Sequence, residues 1–218
     1  MPAPTASPSH GKGLPTVNQK SISDYLDVIV EPRYDTVLYP AAGAGQLTFF
    51  AVPKGQGNSV FQTAGGAVTA KTLADTNMDL AGQIPGGYNF KLLGFRVMPS
   101  WDVTDNDMHF VFNGAVFQFV IGSKPFLTVP LRTIPQGNGP SGSGASMNSF
   151  GYPELSNSFS IAKKPLDILQ TQNFQVVISW PNGQLMPCTT AAGAMVGGHL
   201  AGCPLTVFLD GFLYRPVQ

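Results

Sequence analysis

Charge is what this sequence has least of. Only 11% of its 218 residues are Asp, Glu, Lys or Arg, where an ordinary soluble domain carries about 25%. A free monomer relies on surface charge for solubility. A subunit covered by its neighbours does not, because the centres of interfaces are depleted of charge. The shortfall therefore points to one copy in an assembly. The charges also balance, 12 basic against 12 acidic, and the longest basic cluster is Lys163-Lys164. No strong direct nucleic-acid binding is expected from such a chain.

Other absences exclude further classes. There are two cysteines, Cys188 and Cys203, too few for a disulfide-built secreted scaffold; whether they pair is left open. The N-terminus MPAPTASPSHGKG has no apolar signal-peptide core, and no run approaches 18 apolar residues. The expectation is a protein made in a cytoplasm with no transmembrane segment. No helical periodicity extends over 12 residues, and no repeat recurs at a fixed spacing. Nucleophile-elbow and phosphate-loop motifs are missing: Gly142-Ser143-Gly144 lies in low-complexity sequence, not on a strand-to-helix turn. Only 12 acids are present, and no carboxylate pair among them marks a glycosidase. The chain is not expected to be an enzyme or to carry a cofactor.

What is present has the texture of β structure. Tyr34–Tyr39, Leu47–Val52, Ala67–Thr72, Phe90–Met98, His109–Phe112, Ala115–Ile121, Phe126–Leu131, Phe159–Ala162, Phe174–Trp180 and Leu205–Tyr214 are rich in Val, Phe, Leu, Thr and Tyr and read as strands. Phe117, Phe119 and Ile121 fall on one face of theirs. Leu205–Tyr214 is apolar on both faces, which predicts a central strand covered on two sides, with Gly211 marking a bulge or close backbone approach. Asn113-Gly114 is the strongest hairpin signal. Tyr25, Leu26, Val28 and Ile29 fit either a short helix or an edge strand, ended by Pro32. Two insertions stand out, the Gly/Ser-rich Gln136–Ser149 and the Ala/Gly-rich Cys188–Cys203. Both read as loops, exposed or ordered against a partner.

Residues 1–20, with Pro2, Pro4, Pro8 and Pro15, hold almost nothing that could build a core. They read as an extended arm that serves assembly contacts rather than the domain. Residues 21–218 then form one domain. Strands, long loops and an arm suit a single jelly roll, an antiparallel β-sandwich.

Three groups could carry chemistry. Asp102, Asp105 and Asp107 could offer oxygen ligands to a hard cation, but the spacing lacks the glycine and glutamate of a calcium loop, and a solvated acidic turn is the better reading. Cys188, His199 and Cys203 fit no zinc-finger spacing. Trp101 beside Asp102, Asp105 and Asn106 is the one group suited to a sugar. A carbohydrate-binding sandwich is therefore the rival from another class.

Two segments carry a resemblance. One is Asp75-Thr76-Asn77-Met78-Asp79-Leu80-Ala81-Gly82-Gln83-Ile84-Pro85, running into Phe90-Lys91-Leu92-Leu93-Gly94-Phe95-Arg96-Val97. The other is Leu209-Asp210-Gly211-Phe212-Leu213-Tyr214-Arg215-Pro216-Val217-Gln218. Together they resemble capsid structural proteins of tailless icosahedral bacterial viruses (bacteriophages). The resemblance implies a shell of jelly rolls and a place in the virion, built from copies of this chain and other capsid proteins. Large tailless viruses often use two jelly rolls per chain, and 218 residues suit one. The expected function is major capsid subunit, with a vertex, cement or spike protein as the alternative. Phe208, Phe212 and Arg215 are the expected assembly contacts in the last strand.

Overall fold

The computed structural model describes residues 27–61, 67–100, 111–134, 140–141, 149–150, 158–182 and 202–216. The described chain is predominantly β. Its strands are β1 (Asp27–Val30), β2 (Arg33–Pro40), β3 (Gln46–Phe49), β4 (Asn89–Pro99), β5 (Val116–Ile121), β6 (Lys124–Pro130), β7 (Pro140–Ser141), β8 (Ser149–Phe150), β9 (Phe159–Ser160), β10 (Leu166–Ile168), β11 (Phe174–Ser179) and β12 (Gly202–Arg215).

Two antiparallel sheets face each other. In the first, β12 lies between β4 on one side and β2 and β1 in succession on the other, while β9 and β10 extend the far edge of β4. The second runs β3-β11-β5-β6. A separate two-stranded ladder joins β7 to β8 across the Gly/Ser-rich insertion and the residue that follows it. The long strands pair in a nested order: β5 with β6, β4 with β9 and β10, β3 with β11, β2 with β12.

The period-2 alternation of each strand sends one set of side chains between the sheets. Phe90, Leu92, Phe95, Val97, Leu205, Val207 and Leu209 come from the first sheet; Phe49, Phe117, Phe119, Phe174, Val176 and Ile178 come from the second. Phe95 bridges the layers, packing on Phe117 at 5.4 Å and Phe119 at 5.1 Å between ring centres. Trp180, just past β11, stacks on Tyr39 and donates its indole N–H to the Val111 carbonyl. As expected, Phe117 and Phe119 are buried in this layer and Ile121 packs against it.

The last strand is central, as its composition requires. At Asp210/Gly211 its register against β4 shifts, because Asp210 faces Gly94 and Gly211 faces Leu92, skipping Leu93. The extra residue belongs to β4. Alternation along β12 runs unbroken, while that of β4 changes parity, from Phe90 and Leu92 inward to Phe95, Val97 and Pro99 inward. Gly211 permits the close approach, since a Cβ there would stand 2.1 Å from the Lys91 carbonyl oxygen.

Several expectations are corrected. Asn113-Gly114 does not turn a hairpin: Val111–Asn113 coil helically into β5, and the hairpin turn is Gly122-Ser123, between β5 and β6. Ala67–Thr72 is not a strand: its backbone makes only scattered hydrogen bonds to Gly55, Gln56 and Ser59, while the Lys71 side chain turns into a buried polar cluster. The strand expected at Leu47–Val52 stops at Phe49, and Phe50 adopts φ 68. Residues 27–30 resolve as an edge strand, with Ile29 inward and Val28 and Val30 outward. Leu166–Ile168, unmarked by its composition, pairs with β4.

Candidate functional site

The outer face of the first sheet is the most distinctive surface among the described residues. In an antiparallel pair, residues directly opposite each other share a face. Thr206, Phe208, Asp210, Phe212 and Tyr214 of β12 therefore point away from the core. Beside them on β4 lie Met98, Arg96, Lys91 and Asn89; beside them on β2 and β1 lie Thr36, Tyr34, Val30 and Val28. Phe208, Phe212, Tyr214 and Tyr34 are half-buried by their neighbours. Val28 and Val30 are 44% and 69% exposed, although a solvated sheet face usually carries polar residues.

An ion pair sits in the middle of this face. Arg96 Nε donates to Asp210 Oδ2 and Arg96 Nη2 to Asp210 Oδ1, both at 2.7 Å. This is the two-pronged geometry that makes arginine–carboxylate pairs strong. The side chains are only 13% and 5% exposed. The same guanidinium lies 4.5 Å from the centre of the Phe208 ring, and Phe208 packs on Tyr34 at 5.9 Å. Thr36 and Thr206 share a hydroxyl hydrogen bond of 2.9 Å alongside. Burial, with the Glu31 carboxylate, pushes the Tyr34 phenol above its usual value.

The exposed charges lie at the border. Arg215 Nε donates to Asp27 Oδ2 at 2.6 Å across the β1–β12 end, and this hydrogen bond raises the guanidinium further. Lys91 lies 4.0 Å from Asp167 of β10 and 6.0 Å from the Tyr214 ring centre. Each of these cations has an acid beside it, so the face carries no net demand for a charged ligand.

Phe208 and Phe212, expected as contacts, thus share one strand and one surface, whereas Arg215 at the end of the same strand alternates to the other side, with Leu213 and its pairing partner Asp27. Phe212 is half-buried rather than enclosed, and Arg215 pairs within its own chain. Sequence reasoning missed Tyr34, Arg96, Val28 and Val30 as members. Pro2, Pro4, Pro8 and Pro15 lie outside the described residues, as do Trp101, Asp102, Asp105, Asp107, Cys188 and His199. Cys203 is buried in β12, facing Tyr39.

A second polar group is internal. Asp35 of β2 is fully buried. Its Oδ1 accepts from Lys71 Nζ at 2.6 Å and its Oδ2 from the Phe50 N–H at 2.6 Å. Lys71 also donates to the Thr36 carbonyl. Burial pushes the Asp35 carboxyl above its ordinary value, against the downward pull of the Lys71 ammonium. Nearby, Asp75 accepts from Ser59, Val60 and Thr72. Both Asp35 oxygens are committed to pinning the connection between β3 and β4 onto β2, which is a clamp. An open cleft of about 370 Å³ lies at the sandwich end, lined by Phe50, Ala51, Gly82, Gly122, Asn173 and Gln175 among others, with no titratable side chain. Among the described residues no three His, Cys, Asp or Glu side chains stand together as a metal site. No described helix is long and apolar enough to cross a membrane.

No family model matches the chain, and no curated protein or solved structure matches it.

Proposed function

We propose that this chain is the major capsid subunit of an icosahedral virus particle, a single jelly roll that works by associating with copies of itself and with other capsid proteins. It would be made in a host cytoplasm and end in the virion. The observation that carries the reading is the outer face of the six-stranded sheet, where aromatic and branched apolar side chains surround an almost desolvated ion pair. Interface centres have this make-up: few free charges, aromatic rings and arginine, with a polar border.

The finer fold assignment rests on the nested strand order. With β9 and β10 counted as one position and β1, β7 and β8 set aside, eight strands remain; first pairs with last, second with seventh, third with sixth and fourth with fifth, as in one long antiparallel ribbon folded across two sheets. That is the logic of the eight-stranded jelly roll. The two segments that resemble capsid proteins of tailless bacterial viruses also meet here, since Phe90–Val97 lies in β4 and Leu209–Arg215 in β12, hydrogen-bonded neighbours.

The test is direct. The purified full chain at near-neutral pH is analysed by sedimentation velocity and negative-stain imaging. Oligomers or shells are expected. A monomer up to high concentration overturns the capsid reading and favours a monomeric binding module.

A further inference from the structure

Resting on the self-assembly reading, we infer that the occupant of the outer face of the first sheet is the same face of a second copy, related by a two-fold axis near the Arg96–Asp210 pair.

The first argument is layout. Along β12 the ion-paired Asp210 has an aromatic group on either side, Phe208 with Tyr34 towards one end and Phe212 with Tyr214 towards the other. A two-fold axis through the centre lays each group on the opposite group of the partner. An isologous contact requires such self-complementarity.

The second argument is charge. Arg96 is paired to Asp210, Lys91 to Asp167 and Arg215 to Asp27. A face whose charges are already matched can meet its own copy without repulsion. A polyanion or an acidic lipid surface would instead be recognised by unmatched cations. The central pair has already lost most of its water within one chain, so covering it adds little desolvation. The hydrated Lys91–Asp167 pair lies at the border and can stay wet, and Arg215–Asp27 lies at the strand end on the other side of the sheet.

The third argument is area. The rows are β12, β4, β2 followed by β1, and the short β9 and β10; at about 4.8 Å between strands and about 3.4 Å per residue they span on the order of 700 Å². A standard stable interface covers about 800 Å² per partner. The face supplies most of the area that a dimer contact needs.

The experiment compares the full chain with Val30→Glu and Gln118→Glu. Val30 is 69% exposed, so its replacement leaves the fold alone. Gln118 lies on the outer face of the second sheet and serves as control. Sedimentation velocity over a dilution series reads the dimer step, and circular dichroism with thermal melting reads the fold. The expected result is a dimer dissociation constant raised at least tenfold by Val30→Glu, with unchanged melting of the dissociated chain, and no change with Gln118→Glu. If the unmodified chain assembles and Val30→Glu assembles equally well, or if Gln118→Glu is the variant that disrupts, this face is not the contact, while the capsid reading stands. If the unmodified chain is a monomer throughout, both fall, and binding of a different protein or a glycan to the face would show what covers it instead.

Discussion

Arg96 and Asp210 lie on neighbouring strands, but not directly across from each other: Arg96 stands opposite Phe208, and Asp210 opposite Gly94. The guanidinium reaches Asp210 diagonally across the paired strands. Removing one partner leaves the other nearly dry and unpaired. Arg96→Met or Asp210→Leu alone is therefore expected to cost about 3–5 kcal/mol. The double variant is expected to cost markedly less than the two together. Urea unfolding of the four proteins checks this, and simple additivity would show that the pair contributes nothing.

Gly211 and Gly86 make a matched comparison. An added methyl at Gly211 meets the Lys91 carbonyl at 2.1 Å and the Phe90 ring at 2.8 Å, whereas Gly86 has nothing within 4 Å. Gly211→Ala is expected to destabilise by about 1–3 kcal/mol through forced backbone shift. Gly86→Ala is expected to be neutral or to stabilise by up to about 1 kcal/mol. Equal melting temperatures for the two variants would refute the close approach.

Burial raises the Asp35 carboxyl above its ordinary 3.8. A group raised on folding contributes most stability below its unfolded value, and that contribution is lost as pH rises through the folded value. Measured from about pH 3.5 to pH 7, the stability of the parent relative to Asp35→Asn is expected to fall with rising pH. A difference that grows with pH would mean the Lys71 attraction outweighs burial.

Residues 1–20 offer little apolar area to bury. Their deletion is expected to leave the melting temperature of the dissociated domain within a few degrees and to abolish regular shells in negative stain. A large drop in melting temperature would place the arm in the domain's own core.

Much of the fold is legible in the residues themselves. Val116–Ile121, Phe174–Trp180 and Leu205–Tyr214 announce strands because their alternation is set by burial on at least one face. The outer face is harder to read, and Arg96 shows why. Counting in twos from Phe90 and Leu92 places Arg96 in the core. The bulge at Leu93-Gly94 reverses that parity, and only the pairing with β12 reveals it. The helical turn at Val111–Asn113 is similar, since Trp180, distant in sequence, holds the Val111 carbonyl and tertiary contact overrides the local signal of Asn113-Gly114. Asp35 gives no local sign of burial because its partner, Lys71, is 36 residues away.

The nested pairing also sets a timetable. In a ribbon whose first long strand bonds to its last, the innermost hairpin, β5–β6, can close early, and the outermost pair only when residues 202–215 exist. The closing contacts are the most distant in sequence and so the slowest to form. The outer face is built around that same last strand. On the assembly reading, a nascent or half-folded chain has no docking surface to present, and completion of folding would act as the permit for association.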